Sequence, residues 1–141
     1  MKYGIMILIL WGIIGMAAMG IAADHSALSY RELAEYHRSL DDEKLTMAYY
    51  AKALAVNPDD ALTLQSRGFY YLTLKKTDLA LEDFSRQIRI RPDEPAGYLN
   101  RGMLLSTLGR DADAIADFTR ACRLGSPDGC VMGETPGGRS R

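Results

Sequence analysis

The chain has 141 residues, enough for one domain, of which 48% are hydrophobic and 25% charged, and its formal net charge is −1. A balance this close to neutral lacks the broad positive field with which nucleic-acid binders displace counterions from phosphates, which argues against DNA or RNA as a partner. Charge is uneven all the same: residues 24–60 hold eight acids and four bases, residues 61–141 ten acids and twelve bases, the pattern of solvated helix faces whose sign drifts along the chain.

After Met1 and Lys2 no charge occurs before Asp24. The stretch Ile5 to Ile14 is apolar on every side of a helix, which a soluble helix would not be. One positive charge, an apolar core and the small-residue ending Gly20-Ile21-Ala22-Ala23 follow the plan of a secretory signal peptide, with cleavage after Ala23. The rival is a retained anchor, since the uncharged run Tyr3–Ala23 at about 1.5 Å per residue matches a hydrocarbon core about 30 Å thick. Either reading of residues 1–23 carries residues 24–141 out of the cytosol, to a periplasmic or secreted location or to a membrane-anchored one. No cysteine lies near residues 15–25 to accept a lipid.

From Ala27 onward the periodicity predicts six helices, roughly 27–40, 44–56, 61–74, 78–90, 95–108 and 112–124. Asp41-Asp42-Glu43 reads as the acidic start of the second helix. Asp59 or Asp60 is placed to cap the third helix, Thr77 the fourth and Asp93 the fifth; Pro95 suits a first-turn position, and Gly109 closes the fifth helix in the left-handed geometry glycine prefers. These elements obey a 34-residue frame, and 27–60, 61–94 and 95–128 align without a gap. Slot eight holds Ala34, Gly68 and Gly102, and slot twenty Thr46, Ala80 and Ala114. Slot twenty-four holds Tyr50, Phe84 and Phe118, and slot thirty-two Pro58, Pro92 and Ser126. Slots seven and twenty-three change together: Leu33 with Tyr49 in the first unit becomes Arg67 with Asp83 and Arg101 with Asp117 in the others. An ion pair replacing an apolar contact is the expectation.

This set of small, aromatic and proline slots at this period resembles the tetratricopeptide repeat, in which each unit is a helix-turn-helix. The resemblance implies an all-α fold, a right-handed superhelical stack of three such units across residues 24–130, behind the N-terminal hydrophobic segment. It also implies a concave groove lined by slots two, five, nine, twelve and thirteen. Those positions are Leu28, Arg31, Glu35, Arg38 and Ser39 in the first unit, and Leu62, Gln65, Phe69, Leu72 and Thr73 in the second. In the third they are Ala96, Leu99, Met103, Ser106 and Thr107. Such a wall suits a protein or peptide segment that lays Leu or Phe side chains onto Phe69, Leu72, Leu99 and Met103, with Arg31 and Arg38 facing an acid. Relatives that grip a C-terminal carboxylate use basic and asparagine side chains in all units. Here only Arg31 and Asn100 resemble that set, while Glu35, Ser66 and Ala96 depart from it.

Cys122 and Cys130 are the two cysteines, and five of the seven residues between them are turn formers. An even count in an exported chain, across a turn, points to a disulfide worth about 2.5 kcal/mol by loop entropy. The spacing also looks like that of cysteine-rich helical repeat proteins secreted by bacteria. Zinc is disfavoured by the wide spacing and by the distance of His25 and His37, and a thiol redox centre by the absence of a two-residue gap. Residues 131–141, rich in glycine, read as a flexible tail too short for the helix that usually finishes such arrays. Val131 and Met132, pinned by the disulfide, would cover the last unit, or another protein would. No nucleophile, base, phosphate loop or metal set appears, and no cofactor is called for. The expectation is a non-enzymatic exported bacterial adaptor in cell-envelope assembly or secretion. The alternative is a small structural subunit of a membrane complex, held by a retained N-terminal helix.

Overall fold

The computed structural model describes residues 29–134, and among these every regular element is helical. The signal or anchor segment 1–23, the groove residue Leu28 and residues 135–141 lie outside the described residues. Helix α1 includes residues 29–39. It is followed by α2 (Glu43–Val56), α3 (Ala61–Thr73), α4 (Thr77–Ile90), α5 (Pro95–Thr107), α6 (Asp111–Arg123) and α7 (Pro127–Gly133). Two compact units meet in sequence between Asp60 and Ala61.

The first unit holds one hairpin, α1 and α2. Ala34 on α1 and Tyr50 on α2 are fully buried, and the Tyr50 hydroxyl donates to Glu35 Oε1 at 2.5 Å. Asp42 caps α2 by accepting the Leu45 N–H at 3.0 Å, and Glu43 follows in the first turn, where the helix dipole favours an acid.

The second unit contains two further hairpins and α7, and each helix packs on its neighbour in the chain. The second helix of each hairpin buries the same stripe: Ala80, Asp83, Phe84 and Gln87 on α4, Ala114, Asp117, Phe118 and Ala121 on α6. That is the i, i+3, i+4, i+7 pattern of a one-sided helix. Phe84 and Phe118 fill the space left by the glycines of the facing helices. A Cβ at Gly68 would stand 2.7 Å from Phe84 Cε1, and one at Gly102 2.7 Å from Phe118 Cε1, so only glycine admits the ring.

The charged slots pair as expected. Arg67 donates two hydrogen bonds to Asp83 (2.8 and 2.7 Å) and Arg101 two to Asp117 (2.7 and 2.8 Å). Burial works against the Arg67 cation, yet the hydrogen bonds and charge of Asp83 outweigh it and leave its pKa raised. For Arg101 the hydrogen bonds it donates to Asp117 dominate over burial and also raise it. Bidentate geometry on a buried carboxylate fixes the angle between the paired helices. Arg101 also donates to Ser85 Oγ at 3.2 Å, tying α5 to the preceding α4.

One turn recurs in all three hairpins. Asp41, Lys75 and Gly109, each at slot fifteen, have φ of 56°, 58° and 72°. The residue after each donates back five positions: Asp42 to His37 O (3.1 Å), Lys76 to Tyr71 O (2.9 Å) and Arg110 to Leu105 O (2.9 Å). The left-handed residue therefore closes the first helix and satisfies its last carbonyls. Gly125, with φ 90°, closes α6 in the same way, and Ser126 N–H donates to Ala121 O at 3.0 Å.

The structure corrects the readings of the α4 and α5 caps and of the segment after α6. Thr77 and Asp93 do not cap α4 and α5; Lys76 and Glu94 occupy those positions with no side-chain cap bond, although Pro95 does open α5. A seventh helix exists where a turn and the start of a tail were expected. Ser126 caps it by accepting the Gly129 N–H at 3.2 Å, and Pro127 begins it. The pair Cys122–Cys130 forms a disulfide across Cα atoms 4.5 Å apart, fastening α7 to α6.

Candidate peptide-binding groove

An open groove of about 370 Å³ lies in the second unit, formed by α3, α5 and the start of α4. Phe69 and Leu72 come from one face of α3. Asn100, Met103, Leu104 and Thr107 come from α5 at the i, i+3, i+4, i+7 spacing of a single stripe, and Thr77 stands at the edge. Leu104 and Asn100 are buried, whereas Phe69 is 37% and Met103 40% exposed. The Phe69 ring meets Phe84 edge to face with centroids 5.3 Å apart, so an aromatic surface is held in place before anything binds.

Two polar groups of this groove already have partners. Asn100 Nδ2 donates to Gln87 Oε1 at 3.4 Å, and the Thr107 hydroxyl donates to Met103 O at 2.9 Å. What remains available is an aromatic face and a flexible thioether, an adaptable apolar wall with hydroxyls at its margin. No acid or base lines it.

Of the residues expected in a groove, Phe69, Leu72, Met103 and Thr107 line this one together. Leu62 is half exposed, Ser106 is exposed and Gln65 is half-buried, and none of these three contributes to the lining. Leu99 packs instead against the core group of Leu105, Ala114 and Phe118. In the first unit, Arg31 is held by Asp60 at 3.4 Å, and Glu35 takes both the Tyr50 hydroxyl and, at 2.6 Å, Arg38. His37 stacks on Tyr49 with centroids 5.2 Å apart. Leu104 and Thr77 were absent from the expected lining; Asn100, considered there only as a carboxylate ligand, proves to be part of the floor.

A second depression, of about 350 Å³, is bordered by Ser85, Arg101, Asp117, Arg110 and Asp113. Its charges are already spent on one another: Arg101 on Asp117, and Arg110 on Asp113 at 2.7 Å. Among the described residues no group of three or more His, Cys, Asp or Glu side chains is placed to hold a metal ion.

The family model for the tetratricopeptide repeat matches residues 95–124, the α5–α6 hairpin. Solved structures extend the likeness across the described helices. The tetratricopeptide domain of Arabidopsis OM64 is 21% identical, covering 78% of this chain and 93% of that one, with a TM-score of 0.67. The chain has the tetratricopeptide repeat fold. The N-terminal domain of stress-induced protein-1 from C. elegans, at 14% identity, covers 78% of this chain and 93% of its own with a TM-score of 0.70. The first tetratricopeptide domain of Spaghetti (RPAP3), solved with the HSP90 peptide SRMEEVD, is 19% identical over 77% of this chain and 88% of that one, with a TM-score of 0.66. No curated protein sequence matches significantly. In tetratricopeptide terms, Phe69, Leu72 and Met103 belong to the first helices of their units, as the groove assignment requires.

Proposed function

We propose that this tetratricopeptide protein is an exported bacterial adaptor that holds an apolar polypeptide segment against Phe69, Leu72 and Met103, in service of cell-envelope assembly or secretion. The observation that carries the reading is the preorganised groove of about 370 Å³ with two large apolar side chains left partly bare. A neighbouring fold, that of RPAP3, holds an HSP90 peptide, which supports a peptide-sized occupant. It does not support the same occupant. SRMEEVD is acidic, whereas this groove has no basic side chain in its lining and Arg31 is engaged with Asp60. Burial of apolar surface is therefore the main attraction, about 25 cal/mol per Å² removed from water, and docking rather than chemistry is the mechanism.

Export rests on the uncharged run Tyr3–Ala23 and agrees with the Cys122–Cys130 disulfide, since disulfides persist in oxidising compartments. Among the described residues no helix is long and apolar enough to cross a membrane; residues 3–23 lie outside them. The alternative, a membrane-complex subunit anchored by that run, predicts a different mature mass. Photocrosslinking from positions 69 and 103 in cells, with identification of the trapped segment and of the protein's own amino terminus, tests both parts. An apolar segment on a chain beginning near Asp24 supports the adaptor. An intact Met1 in the membrane fraction supports the subunit, and capture of a strongly acidic segment contradicts the apolar reading.

A further inference from the structure

Helix α7 is attached to the last hairpin in an unusual way. Gly129 and Gly133, one turn apart, put its backbone directly against α6. A Cβ at Gly129 would lie 2.7 Å from the Cys122 nitrogen and 2.8 Å from the Ala121 Cβ, and one at Gly133 would lie 3.3 Å from the Thr119 nitrogen. Its larger apolar side chains turn outward, Val131 being 73% and Met132 42% exposed. Gly129 is the one buried residue of the helix, so backbone contact rather than large buried side chains seats it.

Its own stability is also poor. Seven residues make fewer than two turns, far below the length at which an isolated helix persists, and two of the seven are glycine, the weakest ordinary helix former. The local support consists of the Ser126 cap, Pro127 at the first position and the Cys130 N–H to Ser126 O bond of 3.2 Å. Beyond the close backbone contact at Gly129 and Gly133, the helix is fastened to α6 by the covalent bond between Cys122 and Cys130, both half-buried.

We propose that the Cys122–Cys130 disulfide is a redox clasp: oxidised, it holds α7 over residues 118–122 of α6; reduced, it releases α7 and leaves the final hairpin open along that edge. The reductant is a dithiol, either a small molecule or the active site of a disulfide reductase. One of its thiolates attacks a cysteine sulfur, forming a mixed disulfide as the Cys122–Cys130 bond breaks. Its second thiol then displaces that sulfur. Two electrons and two protons pass to the protein, which is left with two thiols, and the reductant departs as its own disulfide.

Hydrogen exchange of the full chain before and after dithiothreitol tests this. Reduction is expected to speed exchange of the amides of residues 129–133 by about tenfold or more, with residues 61–110 within about twofold of their oxidised rates, as local opening requires. The substitution Cys130→Ser should produce the same pattern without reductant. Unchanged exchange at 129–133 in both experiments would overturn the clasp. So would acceleration spread evenly through α3 to α6, which would make the disulfide a fastener of the whole unit.

Discussion

Slot eight shows how a single residue governs the approach of two helices. Gly102→Ala places a methyl 2.7 Å from Phe118 Cε1 and 2.9 Å from Cδ1, so the ring must shift in a packed interior. Overpacking of this kind costs about 1–3 kcal/mol and should appear as a lower thermal midpoint. The Arg101–Asp117 pair is a second residue-scale device. Asp117 is almost fully buried while Arg101 keeps part of its surface in water, so removing the arginine strands a buried carboxylate. A double-mutant cycle on these two positions, read by denaturant unfolding, should give a coupling of about 1–3 kcal/mol. The same cycle on Arg110 and Asp113, each more than half exposed, should give no more than about 0.5 kcal/mol. Because pairing raises the Arg101 pKa, its stabilisation is fully present below the unfolded-state value and is lost only as pH climbs through the folded one. No loss from this group is expected at neutral or mildly alkaline pH.

Within each hairpin the recurrent left-handed residue sets where the first helix stops. Lys75 adopts φ 58° with a side chain, whereas Gly109 adopts φ 72° without one and has open space around its α-carbon. Lys75→Gly should therefore stabilise the second hairpin by about 0.5–1 kcal/mol, and Gly109→Ala should destabilise the third by about 1 kcal/mol, both read from thermal or denaturant unfolding. Much of this level was legible in the sequence, because stacking makes each unit repeat the same small-against-large contacts. The six helices, the Arg–Asp pairs and the Gly109 stop followed from the slot frame. Helix α7 was missed for a physical reason: Ser126-Pro127-Asp128 is a sound helix start, but Gly129 and Gly133 lower helix propensity, and their service in close packing on α6 is visible only in three dimensions. The caps at Thr77 and Asp93 were each misplaced by one residue because the actual cap positions, Lys76 and Glu94, make no side-chain cap bond.

At the scale of the molecule, the slot frame could indicate the direction of a side chain but not what lies within reach of it. Phe69, Leu72 and Met103 were placed in a groove and do line one. Leu99 shares their pattern yet meets Leu105 and Phe118, and Arg31 meets Asp60, 29 positions away in the chain. Such long-range partners leave no mark on periodicity. If the wall built by Phe69 and Met103 is the binding surface, titrating the crosslinked segment against the wild type and Met103→Asp will separate the two proteins. Met103 is 40% exposed and lies outside the buried core, so thermal stability should change by less than about 0.5 kcal/mol. A charge buried under an apolar ligand should weaken binding about tenfold or more, equivalent to at least about 1.4 kcal/mol. Equal affinity of the two proteins, with both fully folded, would contradict it.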